Sequence, residues 1–249
     1  MIKLYTIMSI ALLFAAIPML NVTSNAAAFE FNKIANPPRD VPIKDNVFRN
    51  VTEAINAFNN ARNQDPTVLA SQKKLVLPLN FNDLNWQDQY FAILNRERTG
   101  RALTSMTYPI PRLNTVAANY SKALNDSNQF THTLNGTTPW SRMDSDPILK
   151  ACKEFHPYGE SLYYFSYMGY NFVTDKLVAL QGLYNFLYND SSVNWGHRKH
   201  LLAAYQNNNK TARHEGHSGL GMTIKKMPNG YITYVLTHNT LDPNPTCTL

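Results

Sequence analysis

Apolar positions recur with a helical period through most of the chain and with a strand period near its end. Val51, Ala54, Ile55 and Phe58 fall at helical spacing and stop near Asp65-Pro66. Trp86, Tyr90, Ile93 and Leu94 follow at i, i+4, i+7 and i+8, and Gly100 supplies a C-terminal stop. Leu113, Val116, Ala117, Tyr120, Ala123 and Leu124 form a longer stripe, beginning after Pro109 or Pro111 and ending near Asp126. Another helix is predicted from Thr174 or Asp175, with Leu177, Leu180, Tyr184, Leu187 and Tyr188 along one face. Asn189-Asp190-Ser191-Ser192 breaks it. The aromatic run Leu162 to Met168 reads as a strand. Leu220 to Lys225 and Tyr231 to Thr237 alternate with period two around Met227-Pro228-Asn229-Gly230, which is hairpin chemistry. Helices first and a hairpin last predict an α+β domain, with helices packed on a mostly antiparallel sheet.

Between these elements the pattern is weaker. Residues 29–80 read as an N-terminal extension, held extended at first by Pro37-Pro38 and Pro42 and ending in the apolar strip Leu75 to Leu79. The main domain opens at Asp83 or Asn85 and takes up 81–249. Asn135 to Pro147 is turn-rich with Trp140 as its one large apolar anchor, and Gln206 to Gly219 reads as a polar loop.

Composition narrows the class. A chain of 249 residues with 44% hydrophobic and 12% aromatic content buries a sizeable core, and one main domain with an extension fits better than two equal domains. The net charge of +6 is spread out, with no more than two basic residues in a row, which speaks against a nucleic-acid binder. Residues 1–28 have the order of a secretory signal: Lys3, an apolar run from Tyr5 to Leu20, then the small residues Ala26-Ala27-Ala28. The run is short and holds Pro18, so cleavage with no retained membrane span is expected. Export also permits a Cys152–Cys247 disulfide, the alternative being two unrelated thiols.

The candidate chemistry centres on Trp195-Gly196-His197-Arg198. His132, in Phe130-Thr131-His132, and Glu160, in Gly159-Glu160-Ser161, are the distant residues expected to meet His197 in one polar cleft. Two imidazoles and a carboxylate suit zinc or another divalent metal, with a fourth position left for water. Without metal the same trio has the makings of a general base and its orienting partner. The plain alternative is a polar cluster that fixes loops. His200 is expected to be surface or capping. His214-Glu215-Gly216-His217 lacks the spacing of a helical zinc signature and reads as loop. Ser161 or Ser218 with His197 as a hydrolase has no nucleophile elbow behind it. His156 and His238 have no evident partner. Tyr163, Tyr164, Phe165 and Tyr167 read as sheet core, with an apolar ligand groove as the alternative.

Taken in order, four pieces resemble the CAP superfamily, which comprises cysteine-rich secretory proteins, antigen 5 and pathogenesis-related proteins and is also named for its SCP-like extracellular domain. They are Leu94-Asn95-Arg96-Glu97-Arg98, Phe130-Thr131-His132, Gly159-Glu160-Ser161 and Trp195-Gly196-His197-Arg198, and the closing hairpin agrees. The likeness runs from about Asn80 to the C-terminus and is that of a bacterial-type member. It implies a three-layer α-β-α sandwich and a surface cleft in which His132, Glu160 and His197 match three positions. The family's Gly-Glu-Asn is Gly-Glu-Ser here. A second cleft glutamate is missing from the helix before His197; Asp190 is the nearest carboxylate, and its loop position makes it a poor stand-in. The resemblance therefore implies a secreted domain whose His/Glu cleft binds a divalent metal, a lipid or a cell-envelope or host-protein partner. The other reading is a metal- or His-dependent hydrolase using the same cleft.

Overall fold

A computed structural model describes residues 36–37, 39–169, 171–203, 216–243, 247 and 249; side chains of 153–158 are not among those described. The expected export signal, His214 and Glu215 lie outside the described residues, as does the side chain of His156. In chain order the elements are α1 (Val51–Gln64), α2 (Trp86–Thr99), α3 (Pro111–Ser127), α4 (Pro139–Asp144), α5 (Pro147–Cys152), β1 (Lys153–Tyr167), α6 (Asp175–Tyr188), α7 (Gly196–Leu201), β2 (His217–Lys226) and β3 (Ile232–Pro243).

Local chemistry sets the helix ends. Asn50 and Asn85 cap α1 and α2 by accepting from the N–H groups of Glu53 and Asp88, at 2.8 and 2.9 Å. Pro111 starts α3, where its missing N–H costs nothing, and Asn128 closes that helix in the left-handed region at φ 52°. Thr174 caps α6 through the Leu177 N–H.

The strands form an antiparallel sheet of order β1-β3-β2. Phe165 lies opposite Tyr234 on one side of β3, and Leu220 opposite His238 on the other. Successive side chains of a strand point to opposite faces, and the two faces have different neighbours. Leu162, Tyr164 and Val235 pack with Tyr120 and Leu124 of α3. Tyr163, Phe165, Tyr167, Tyr234, Leu236 and Leu220 join the larger core under α1, α2 and α6. Helices thus cover both faces, and the α-β-α sandwich is present.

On the α3 face the approach is close. A Cβ on Gly219 would lie 2.3 Å from the Leu113 carbonyl carbon, and one on Gly221 would lie 2.1 Å from the Ala118 nitrogen. Glycine at both positions lets helix backbone rest on strand backbone. This explains why β2 already begins at His217, where a polar loop was expected: packing against α3 makes that stretch sheet.

On the other face α6 is buried all round. Phe58 of α1 meets Tyr184 and Tyr188 edge-on, with ring centroids 5.1 and 6.1 Å apart. Phe48 and Phe58 are buried, each contributing roughly 1.5–3 kcal/mol of apolar transfer free energy. The segment before α2 is therefore packed into the main core, with the Val41 N–H donating to the Tyr188 carbonyl at 2.8 Å.

The turn-rich stretch also departs from expectation. Thr138 and Ser141 make a reciprocal cap that begins α4, turning Met143 inward and leaving Trp140 at the rim. Met143, Leu149 and Ile110 form the apolar anchor there, beside Cys152. Cys152 is bonded to Cys247, as export permits, across a sequence separation of 95. Such a closure is worth about 2–4 kcal/mol.

Candidate functional site

Glu160 and Ser161 are adjacent on β1, so their side chains leave opposite faces of the sheet. Glu160 turns towards α3 and meets His132, whose Nδ1 lies 3.0 Å from its Oε1. Arg142 of α4 takes both oxygens of the same carboxylate, at 2.8 and 2.6 Å. Its guanidinium also donates to the carbonyls of His132 and Thr137 and lies 3.2 Å from the centre of the Tyr120 ring. Tyr120 in turn donates to the Thr131 carbonyl at 2.6 Å. Burial pushes the Tyr120 hydroxyl up to about 12, so it stays a neutral donor. One planar cation thereby locks the turn carrying His132 to the strand carrying Glu160.

His197 finds a different carboxylate. Asn194 and Trp195 both take left-handed backbone, at φ 54° and 59°, and swing the chain into α7. Asp190 holds that turn. It accepts from the N–H groups of His197 and Arg198 at 3.0 and 3.2 Å, and its other oxygen meets His197 Nδ1 at 2.7 Å. The loop position that counted against Asp190 is what allows this, because the loop folds back under the N-terminus of α7. Charge at the N–H groups of a helix start favours a carboxylate there.

Both pairings have the same chemical consequence. An ionised carboxylate only accepts, so each Nδ1 carries the proton and the lone pair of the neutral ring sits on Nε2. The Nε2 of His197 is buried and has no hydrogen-bond partner among the described residues. A carboxylate behind an imidazole is also the usual support for a metal-binding histidine. His132 and His197 both disfavour charge on His200.

His200 is half-buried and hydrogen-bonded into the sheet, where a surface or capping residue was expected. Its Nδ1 lies 2.7 Å from Ser161 Oγ and its Nε2 lies 2.7 Å from Thr240 Oγ1, so α7 is pinned to the sheet. A Cβ on Gly159 would come within 2.0 Å of that Nε2, which gives the glycine of Gly159-Glu160-Ser161 its reason. Burial, helped by His197, His132 and Arg98, lowers His200 to about 3. His238 is buried between Tyr90 Oη at 2.8 Å and Ser218 Oγ at 3.1 Å, and burial keeps it well below its ordinary value.

A second polar cluster lies behind the site. Asp65 accepts from Arg101 and Arg198 at 2.6 and 2.7 Å, and Glu97 pairs with Arg62 and Arg101 at 3.0 and 2.6 Å. Tyr188 and Thr67 complete it. Burial alone would raise the Asp65 carboxyl, but Arg101 and Arg198 hold it down at about 2. This cluster ties the segment before α2 to α7, and so to the backbone next to His197.

Of the residues singled out from sequence, the structure thus joins His132 to Glu160 directly, while His197 takes Asp190. Among the described residues no group of three His, Cys, Asp or Glu side chains is placed to hold a metal ion. The residues that sequence reasoning missed are Arg142 and Asp65, and the partnership of Asp190. No periodic signal marks any of them; the Glu97 and Arg198 of the quoted motifs were the one hint of buried ion pairing.

No protein-family model matches the chain, and no curated protein matches it by sequence. Two solved structures resemble it. One is an extracellular protein containing an SCP domain from Bacillus anthracis, at 22% identity and TM-score 0.39, covering 62% of this chain. The chain spans only 39% of the length of that protein. The other is an outer surface protein of Borrelia burgdorferi, at 17% identity and TM-score 0.35, with 62% of this chain and 92% of that one covered. No helix among the described residues is long and apolar enough to cross a membrane.

Proposed function

We propose that the chain is an exported CAP-type domain that works by binding, with the ligand or a divalent cation received at the Nε2 side of His197 and His132. The observation that carries this reading is the buried Nε2 of His197, aimed by Asp190 and left without a partner among the described residues. The sequence motifs supply the family resemblance, and a cell-envelope component, a lipid or a host protein is the class of partner it suggests. Two imidazoles supported by carboxylates are donors of the type zinc takes, but the described residues place no third donor beside them, so the pair alone does not make a complete zinc site. Bound zinc would supply a Lewis acid there; Glu160 and Asp190 would act from behind the rings.

The hydrolase reading has less support. Ser161 does lie beside a histidine, but that histidine is His200, lowered to about 3 and with its other nitrogen on a threonine hydroxyl. A general base works best with a pKa near the operating pH. Ser161 and Ser218 are both fully buried, so neither hydroxyl meets a substrate.

The test is a screen of the purified chain against peptides, esters and peptidoglycan fragments, beside calorimetric zinc titration, with His197→Ala and Glu160→Gln in both. No turnover is expected, and His197→Ala should weaken zinc binding by about tenfold or more. Multiple turnover that disappears in both variants would promote the hydrolase. Zinc affinity untouched by His197→Ala would remove the metal from the proposal.

A further inference from the structure

The turn that carries His197 runs from Asp190 to Arg198, and its backbone is strained. Asn194 and Trp195 are both left-handed, a conformation that persists only where the surroundings over-determine it. Asp190 holds the turn from within, its backbone carbonyl accepting from the N–H groups of Val193 and Trp195 at 3.2 and 3.0 Å. From outside, the segment before α2 grips both ends. At the far end Asp65 takes Arg198, whose guanidinium also donates to the Leu187 carbonyl at 2.9 Å. At the near end Asp40 takes Ser191 twice: one carboxylate oxygen accepts from the backbone N–H at 3.0 Å, and the other accepts from the hydroxyl. Val41, the next residue, is fastened to α6. Its N–H donates to the Tyr188 carbonyl and its carbonyl accepts from Tyr184 Oη, both at 2.8 Å. Residues 40 and 41 therefore lie along residues 188 to 191, beside the carboxylate that orients His197.

We propose that Asp40 is a positioning residue for His197. It acts through Ser191, which follows Asp190 directly in the chain. With Ser191 held at both its N–H and its hydroxyl, the Asp190 backbone is fixed on its C-terminal side, and its carboxylate stays 2.7 Å from His197 Nδ1. That contact keeps the ring proton on Nδ1 and the lone pair on Nε2. Without Asp40 the strained turn loses its outer hold at the start, and the Asp190 carboxylate is released to leave the ring. The segment before α2, which lies outside all four motifs that carry the family resemblance, is thus a working part of the cleft. Its importance for binding rests on the reading of His197 Nε2 as the receiving atom.

Long-range proton–nitrogen NMR spectra of the imidazoles read the tautomer directly at pH ~8, where an ordinary histidine is neutral. The His197 signals are assigned by their loss in His197→Ala. The wild type should show the Nδ1–H form of His197 in about tenfold or greater excess, as a hydrogen bond to an ionised carboxylate requires. Asp40→Ala should lose that excess, with both tautomers visible. Asp40→Asn, whose side-chain oxygen still accepts from the Ser191 N–H, should stay near wild type. Ser191→Ala removes only the hydroxyl contact and should move in the same direction by less; it decides the matter if Asp40→Ala does not fold. Tyr184→Phe is the control for mere loosening: it frees the Val41 carbonyl, so it should lower the melting temperature and leave the tautomer unchanged. A wild-type tautomer ratio in whichever of Asp40→Ala and Ser191→Ala folds overturns the inference, as does an equal shift in Tyr184→Phe. Zinc chloride added to the wild type tests the binding reading separately. A His197 Nε2 signal indifferent to zinc removes the cation from the proposed function, while the tautomers still decide the role of Asp40.

Discussion

At the scale of single residues, this protein spends its buried charges on position. Asp65 is the sharpest case, because one oxygen serves both Arg101 and Arg198. Removing one partner of a buried pair leaves the other desolvated and uncompensated, and costs about 3–5 kcal/mol. Asp65→Asn should therefore lower unfolding free energy by about that amount in urea titration. The double variant Asp65→Asn/Arg198→Met should lose less than the sum of the singles, because the two side chains share one interaction. A loss below about 1 kcal/mol for Asp65→Asn would show that the cluster is held by its arginine contacts to backbone instead. Asp190 belongs to the same economy: a single carboxylate sets the backbone, the tautomer and the aim of His197.

At the scale of elements, the decisive contact is α3 on β2. Gly221 is there because the Ala117–Ala118 backbone occupies the space where a Cβ would go, at 2.1 to 2.4 Å. A methyl group must push the helix off the strand, so Gly221→Ala should cost about 1–3 kcal/mol or more. Ile224, on the same strand but 44% exposed, provides the control, and Ile224→Ala should stay within about 0.5 kcal/mol of wild type. Chemical denaturation of both variants checks this, and equal losses would mean that strand propensity, not helix approach, decides the position. The helices themselves were legible. The stripes of α2, α3 and α6 and the β2–β3 hairpin repeat with the periods that their elements impose. Helices α4 and α5 were not, because each has only six residues, too few for a period to show.

At the scale of the whole molecule, the fold should be acid-labile. His200 is lowered to about 3 and His238 well below its ordinary value, both first through burial. An unfolded histidine titrates near pH ~6.5, so below that pH the unfolded chain binds protons that the folded one refuses. Stability is then full above pH ~6.5 and falls as the pH drops, with a slope approaching two protons. Asp65 adds a further loss below pH ~4, since its folded value of about 2 is depressed and its stabilisation goes as the unfolded carboxyl protonates. Urea midpoints at pH 7.5, 5.5 and 4.5 measure this. His238→Gln should about halve the slope between the upper two points, and a flat profile from 7.5 to 5.5 would contradict it.

What the sequence by itself determined is whatever repeats or is local: the α+β class, the order of helices and hairpin, and helix starts near Asn85 and Pro111; it permitted the Cys152–Cys247 bond, which the fold then forms. Motif order alone also picked out His132, Glu160 and His197. Only the tertiary structure decided their partners. Arg142 reaches Glu160 across 18 positions and Asp65 reaches Arg198 across 133, by contacts that leave no period and no spacing rule in the chain. A charged side chain reads the same in sequence whether it is solvated or buried, and burial comes only from elements that meet after folding. That is why the histidines were found from the sequence, and why the cation standing in front of Glu160 was not.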